Sequence, residues 1–121
     1  ITGELRTTGP NGRHPNAAGR TVYMVPLTAY TEELSAIMKS GKELPELDPR
    51  LELYTRKTQA GGMLGNFTFS NVPAGTYLIW CKIEWQGTPG KRGKTGGFLY
   101  IQGTVELKKG EKKRQNIGAS D

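Results

Sequence analysis

The stretch GNFTFSNVPAGTYLIWCKIEW, residues 65–85, contains the clearest strand, turn and strand pattern in the chain. Phe67 and Phe69 alternate with polar residues, which predicts a short strand with one aromatic face. The Asn, Pro and Gly between positions 71 and 75 are typical of a turn. A second strand follows, in which alternation directs five residues into a core: Tyr77, Ile79, Cys81, Ile83 and Trp85. We therefore expect this hairpin to form the centre of an antiparallel sheet.

Five further segments are predicted strands. Residues 1–7, 51–58 and 98–107 have two-residue alternation, residues 20–27 are rich in β-forming residues, and residues 113–117 can form a short last strand. In the segment 98–107 the predicted inward residues are Leu99, Ile101, Val105 and Leu107. No internal repeat or second domain is evident, and 121 residues suffice for a single domain spanning residues 1–121. The pattern predicts an all-β fold of about seven strands.

One segment interrupts the strand pattern and predicts a helix at about residues 31–40. Thr31 is a plausible N-cap, and two acidic residues follow it, where the helix dipole favours negative charge. Leu34, Ile37 and Met38 share one face, and Gly41 can end the helix. Because such a short helix is not stable alone, it must dock on the sheet or on a partner.

Residues 65–77 also carry a family resemblance. The glycine, the aromatic pair and the sequence N-V-P-A-G-T-Y resemble the signature of carboxypeptidase regulatory-like domains. Residues 1–5, 19–25 and 54–58 extend the resemblance over most of the chain. It implies an Ig-like, transthyretin-like (prealbumin-like) antiparallel β-sandwich of the kind found in secreted and bacterial cell-envelope proteins. It implies fold rather than function, because one fold hosts many tasks.

The charge balance favours acidic partners. Lys and Arg number 17 against 11 Asp and Glu, a formal charge of +6, which suits nucleic acid, anionic lipid or acidic polysaccharide. Two basic clusters are candidate anion-binding sites, or else solubilising charge: Lys91, Arg92 and Lys94 in one turn, and Lys108, Lys109, Lys112, Lys113 and Arg114 around the next. The strand between them would hold them about 30 Å apart, so they cannot form one nucleic-acid groove.

The resemblance places the domain outside the cytoplasm, in a periplasmic, outer-membrane-associated or extracellular location. No stretch approaches the roughly 20 apolar residues of a membrane span, so we expect membrane association only through an anchor before Ile1. Cys81, the single cysteine, rules out an internal disulfide and is predicted to be an inert, buried thiol.

Catalytic, cofactor and metal sites find little support in the sequence. His14 is the only histidine and lies in a Gly- and Pro-rich loop, without partners for a zinc site or a catalytic triad. Glu43, Glu46 and Asp48 lack the spacing of a calcium loop. Lys94 lies in a glycine-rich loop between two predicted strands, whereas a phosphate-binding loop precedes a helix. We expect no enzymatic activity, no cofactor and no metal.

The outward face of the two long strands is the candidate interaction surface. It groups Leu78, Trp80, Lys82, Phe98 and Tyr100, and exposed aromatic clusters usually mark a contact site. In the alternative arrangement the predicted helix folds over this face and buries it with Leu34, Ile37 and Met38.

The main functional hypothesis is a non-enzymatic protein-interaction or scaffolding module that docks onto another cell-envelope protein. An accessory lipoprotein-type subunit of a bacterial envelope or secretion assembly would be a concrete case. The alternative hypothesis is a carbohydrate-binding module in which Trp80, Tyr100 and Tyr54 stack on sugar rings. A third, anion or nucleic-acid binding through the basic loops, is disfavoured by the separation of the two clusters.

Overall fold

The computed structural model describes residues 1–6, 20–61, 65–85 and 97–119. Within these ranges the chain is mostly β, with one short α-helix, α1 (Ala29–Lys39), and a 3₁₀ helix, Pro49–Tyr54. Seven strands are present in the described part: β1 (Thr2–Arg6), β2 (Thr21–Pro26), β3 (Arg56–Gln59), β4 (Asn66–Thr68), β5 (Gly75–Trp85), β6 (Gly97–Leu107) and β7 (Ile117–Ala119). The expected content of strands with one inserted helix is therefore confirmed.

The seven strands form one continuous hydrogen-bonded order, β3-β2-β5-β6-β7-β1-β4. Strands β5 and β6 make the longest pair, from Gly75 opposite Leu107 to Trp85 opposite Gly97. The pairing is antiparallel throughout except between β1 and β7, which run parallel. Strand β5 is an interior strand with β2 and β6 as its neighbours, whereas β4, the other strand expected at the centre, lies at the end of the order.

The expected hairpin of β4 and β5 is wrong. Strand β4 pairs with β1 at the end of the sheet order, with Phe67 opposite Gly3. Residues 69–74 connect β4 to β5 without pairing the two strands, and Asn71 there is in the left-handed region at a φ of 57°. The local pattern predicted the strands themselves, and their partners follow from packing between distant segments.

The sheet curls until its two ends meet. Gly61, just after β3, and Asn66, at the start of β4, exchange backbone hydrogen bonds of 2.8 and 2.7 Å. Residues from both ends of the order therefore share one core: Leu5, Val22, Met24, Ala60, Phe67, Phe69, Tyr77, Ile79, Cys81, Ile83, Ile101, Val105 and Ile117, with Leu99 partly buried against it. The alternation in β5 and β6 is confirmed wherever side chains are described. Burial raises the pKa of the Cys81 thiol to about 11.

Helix α1 begins earlier than expected. Thr28, not Thr31, is the N-cap, and Thr31 is fully buried at the third helical position. Its hydroxyl donates to the Pro26 carbonyl oxygen at 2.8 Å and accepts from the Thr28 N–H at 2.7 Å, which completes a capping box. The helix ends before Gly41, whose φ of 78° is left-handed. No helix among the described residues is long and apolar enough to cross a membrane.

Two predicted strands have different bounds. Residues 51–55 do not join a strand, because Pro49 and the Asp48 carboxylate, which accepts from the Arg50 N–H at 2.9 Å, start a 3₁₀ helix there. Strand β3 begins only at Arg56, and Leu53 and Tyr54 are 82% and 64% exposed. The last strand covers Ile117–Ala119 rather than residues 113–117.

Candidate functional site

Most of the predicted interaction surface is covered. A second apolar cluster on the outer face of β5 and β6 joins Val25, Met38, Leu78 and Tyr100, with Leu27, Leu44, Leu51, Trp80 and Phe98 packed against it. Leu34, Met38, Leu78 and Tyr100 are buried, and Ile37, Trp80, Lys82 and Phe98 are half-buried. Of the three helix residues expected to bury this face, Met38 packs with Leu78 and Tyr100, and Leu44 and Leu51 from the segment after the helix complete the cover. Because Tyr100 is buried, it cannot stack on a sugar as the carbohydrate hypothesis supposed.

Two tyrosine hydroxyls, that of Tyr100 on this face and that of Tyr30 in α1, accept hydrogen bonds from the segment after α1. The Leu44 N–H donates to the Tyr100 hydroxyl and the Asp48 N–H to the Tyr30 hydroxyl, both at 2.9 Å. The Lys82 ammonium adds a hydrogen bond of 2.6 Å to Glu43 Oε1. We call residues 42–55 the covering segment, because this part of the chain covers Leu78 and Tyr100 but leaves Trp80 half-exposed.

Helix α1 is also joined to the sheet by a polar contact. The Ser35 hydroxyl donates to Gln102 Oε1 at 2.5 Å, and Gln102 Nε2 donates to the Ser35 carbonyl oxygen at 3.1 Å. Gln102 is buried where it meets the helix. This exchange satisfies a buried amide and fixes the position of the helix from which the covering segment continues.

At the end of this face that the covering segment leaves open, strands β3, β2 and β5 each contribute one side chain to a row across the sheet. Lys57 in β3 lies opposite Tyr23 in β2, and Tyr23 lies opposite Trp80 in β5. The Tyr23 and Trp80 rings stack with centroids 4.4 Å apart and planes at 21°. The Lys57 ammonium lies 6.0 Å from the Tyr23 ring centroid. Directly opposed residues on one face contact each other, so the row is a consequence of the strand register.

A cleft of about 260 Å³ opens where this row meets the covering segment. The sheet forms one wall of the cleft with Tyr23 and Trp80, and the covering segment forms the opposite wall. The lining residues are Tyr23, Val25, Leu47, Asp48, Pro49, Leu51, Glu52, Thr55, Lys57 and Trp80. An apolar and aromatic lining with a few polar groups is typical of a small-molecule site.

The charged groups of the cleft are paired with each other or with a close neighbour. Asp48 accepts from Arg50 Nη2 at 2.8 Å, from Nε at 3.2 Å and from the Arg50 N–H; these bonds lower the pKa of the Asp48 carboxyl to about 2. Lys57 Nζ donates to Glu52 Oε1 at 2.9 Å. This hydrogen bond lowers the pKa of Glu52 and raises that of Lys57. Both carboxylates are therefore ionised hydrogen-bond acceptors near neutral pH.

The remaining candidates lie elsewhere. Lys91, Arg92, Lys94 and His14 are outside the described residues. Lys108, Lys109, Lys112 and Arg114 are exposed and Lys113 is half-buried. Arg114 Nη2 donates to Glu4 Oε1 at 2.8 Å, which neutralises part of this cluster. In the described ranges, no three His, Cys, Asp or Glu side chains form a group that could hold a metal ion.

The sequence reasoning selected Trp80 but missed the rest of the cleft. Tyr23 was detectable as an outward position, because Val22 and Met24 on either side of it face the core. Its pairing with Trp80 required the strand order. Glu52 and Thr55 were missed because residues 51–55 were predicted to form a strand, and Lys57 was missed because its position opposite Tyr23 depends on the pairing of β2 with β3. Tyr54, named for sugar stacking, is exposed but does not line the cleft.

No protein-family model and no curated protein matches the chain. A solved structure does: PA1324 from Pseudomonas aeruginosa, described as a "putative carbohydrate binding protein", is similar with a TM-score of 0.78 at 24% sequence identity. The match covers 98% of this chain and 86% of PA1324. At this identity the likeness establishes a shared fold, and the binding description remains that of PA1324.

Proposed function

We propose that this domain is a non-catalytic carbohydrate-binding module and that the cleft beside Tyr23 and Trp80 is its binding site. One observation carries the proposal: a half-exposed aromatic pair lies in a cleft bordered by ionised carboxylates and an ammonium group. The protein-docking hypothesis offered exposed edges, the helix insertion or the aromatic patch as the docking surface, and α1 and the covering segment largely bury the aromatic patch.

The chemistry of the cleft suits a sugar. A pyranose ring has apolar C–H faces that pack against aromatic rings, and hydroxyls at its edge that need hydrogen-bond partners. Tyr23 and Trp80 provide large apolar surface, and Asp48, Glu52 and Lys57 provide acceptors and donors. At about 260 Å³ the cleft lies just below the roughly 300 to 1,000 Å³ of drug-sized ligand sites, which suits a short portion of a glycan.

The paired carboxylates support binding rather than hydrolysis. A general acid for glycoside cleavage needs a carboxyl pKa raised toward neutrality. Here hydrogen bonds from Arg50 and Lys57 shift the pKa values of Asp48 and Glu52 the other way. The description of PA1324 is a second, weaker line of support, since it comes from a protein that shares the fold at 24% identity.

Tryptophan fluorescence with a panel of oligosaccharides tests the proposal. The chain has two tryptophans, so the titration uses a Trp85→Phe variant in which Trp80 is the remaining indole. We expect at least one glycan to shift the Trp80 emission saturably at concentrations up to millimolar, with matching heat in calorimetry on the unaltered protein. Absence of both signals across neutral and acidic glycans would overturn the proposal.

We further propose that the curled sheet is a transthyretin-like sandwich of the carboxypeptidase regulatory-like type, in a secreted or periplasmic protein. The N-V-P-A-G-T-Y sequence supports this, as does a core shared by β1, β4 and β7 with β2, β5 and β6. Docking onto a cell-envelope protein remains a prediction.

A further inference from the structure

The charges of the cleft differ from the charge of the whole chain. A formal charge of +6 favours acidic polymers, yet the lining of the cleft contains two carboxylates, Asp48 and Glu52, and one ammonium, Lys57. We infer that the cleft selects neutral glycans over glycans that carry carboxylate, sulfate or phosphate groups. This inference rests on the proposed function and names the substrate class of the same site.

Lys57, which lines the cleft, and Arg50, which adjoins its Asp48, are both bound to carboxylates. Lys57 Nζ is 2.9 Å from Glu52 Oε1, and Arg50 contacts both oxygens of Asp48. An acidic sugar would have to break one of these pairs or be bound beside an ionised carboxylate. Repulsion between like charges is weakened but not abolished by solvent at an open site.

The same carboxylates retain capacity to accept hydrogen bonds from sugar hydroxyls. A carboxylate has about four lone-pair positions. Among the described residues, one donor, Lys57, contacts Glu52, and Asp48 Oδ2 receives a single bond, from Arg50. Neutral sugars bring hydroxyl donors to these positions, and the carboxylate of an acidic sugar brings none.

The basic residues of the second candidate anion site do not alter this charge pattern. Lys108, Lys109, Lys112, Lys113 and Arg114 follow β6, and none of them lines the cleft. Lys82, which is nearer, is held by Glu43 at 2.6 Å and lies over the Phe98 ring at 5.0 Å. Within the described residues, Lys57 is therefore the one cation that borders the cleft directly.

Calorimetry with matched pairs of glycans tests the inference. The probes are β-1,4-linked manno-oligosaccharide against β-1,4-linked oligomannuronate, and methyl-esterified against free oligogalacturonate. Each pair has equal length and is measured at low and at physiological ionic strength. We expect the neutral member to bind at least about tenfold more tightly, a difference of about 1.4 kcal/mol, and the preference to weaken as salt screens the carboxylates.

A charge variant identifies the cause of the preference. Glu52→Gln removes a negative charge and releases Lys57, so binding of the acidic member should rise several-fold and that of the neutral member should fall. Glu106→Gln, at an exposed carboxylate on β6 that does not line the cleft, should change neither. Equal or tighter binding of the acidic members would overturn the inference and leave carbohydrate binding intact. Binding of neither member, with the fluorescence panel also silent, would overturn the proposed function itself.

Discussion

Tyr23 and Trp80, from neighbouring antiparallel strands, stack with ring centroids 4.4 Å apart at the boundary between the covered and uncovered parts of one sheet face. On one side of Trp80, Tyr100 is buried beneath the covering segment, with ring centroids 6.2 Å apart. On the other side, Tyr23 reaches the cleft and the ammonium of Lys57. The pair therefore joins the apolar cluster under the helix to the open site, and its orientation is fixed by packing before any ligand binds.

Replacing Trp80 with alanine should remove most glycan binding. Truncation of a central aromatic contact usually costs about 2 kcal/mol or more, roughly a thirtyfold loss of affinity. Calorimetry with the best glycan of the panel measures the loss. Tyr54→Ala is the matched control, because Tyr54 is 64% exposed yet does not line the cleft. An equal loss in the two variants would show that the cleft is not the binding site.

The ionisation of Asp48 should depend on Arg50. The Arg50 side chain, followed by its backbone N–H, lowers the pKa of Asp48 from 3.8 to about 2. A lowered pKa stabilises the folded state above pH 3.8, and this contribution disappears as the pH falls through about 2. Because Arg50 is exposed and Asp48 is only partly buried, solvent screening keeps the effect on unfolding small. Carboxyl carbon NMR of an Arg50→Ala variant should show the Asp48 midpoint rising toward its ordinary value.

The Lys57→Ala variant is the control for that titration, because Lys57 pairs with Glu52. It should raise the midpoint of Glu52 and leave that of Asp48 unchanged. If Arg50→Ala leaves the Asp48 midpoint near 2, the hydrogen bonds from the guanidinium are not what holds this carboxyl ionised.

Local alternation was sufficient to predict which face of each long strand enters the core. Ile79, Cys81, Ile83 and Ile101 are all fully buried, because a strand with one apolar face has a single register that buries it. Strand partners were not predictable in the same way. Phe67 and its neighbours fit either β1 or β5 by pattern, and the choice depends on how distant segments pack around the shared core.

Trp80 on the sheet side of the candidate site was predictable from the sequence, and the side formed by the covering segment was not. Trp80 has an outward position that alternation reveals. The facing side of the cleft depends on Asp48 and Pro49, which start a 3₁₀ helix where alternating Leu51 and Leu53 favour a strand. The Asp48 cap and Pro49 favour a helical turn there, whereas the residues that follow favour a strand. Strand propensity summed over the segment does not show which of the two wins.

A methyl group at Gly3 should destabilise the fold strongly. A Cβ there would overlap the Gln115 carbonyl oxygen and lie 2.6 Å from Phe67 Cζ. The Gln115 carbonyl oxygen belongs to the backbone, so it cannot move aside as a flexible side chain can, and β1 must shift. We therefore expect Gly3→Ala to lower the free energy of unfolding by about 3 kcal/mol. Urea denaturation measures it. Gly61→Ala is the control, since nothing lies within 4 Å of the added carbon; similar losses in both would contradict this explanation.

Alkaline pH should destabilise the protein through Cys81. Burial raises the pKa of this thiol from 9.0 to about 11. Below pH 9 the thiol is protonated in both states. As the pH rises from 9 to 11 the thiol ionises in the unfolded chain but not in the folded protein, so the free energy of unfolding falls. By pH 11 the loss should reach about 2 kcal/mol. The measurement is the difference in unfolding free energy between the protein and a Cys81→Ala variant, which cancels the other titrating groups. A difference independent of pH would contradict the prediction.

The hydroxyls of Tyr30 and Tyr100 should hold the covering segment in place. Each accepts a backbone N–H, from Asp48 and Leu44 respectively, at 2.9 Å. Replacing Tyr30 with phenylalanine leaves the Asp48 N–H without this acceptor, and replacing Tyr100 does the same to the Leu44 N–H. Either change should lower the free energy of unfolding by about 1 kcal/mol. Amide hydrogen exchange should become faster at Leu44 in Tyr100→Phe and at Asp48 in Tyr30→Phe, because local opening of the segment becomes easier.

Tyr77→Phe distinguishes this local effect from a general loss of stability. The Tyr77 hydroxyl donates to the Pro73 carbonyl oxygen at 2.6 Å, on a different part of the chain, so its removal should cost a similar free energy without faster exchange at Leu44 or Asp48. Because Asp48 lines the cleft, the double variant Tyr30→Phe and Tyr100→Phe should also bind glycan more weakly than Tyr77→Phe. Equal exchange and equal affinity in the two would mean that the covering segment is held by its apolar contacts alone, with Leu44 and Leu51 packed against the cluster around Tyr100.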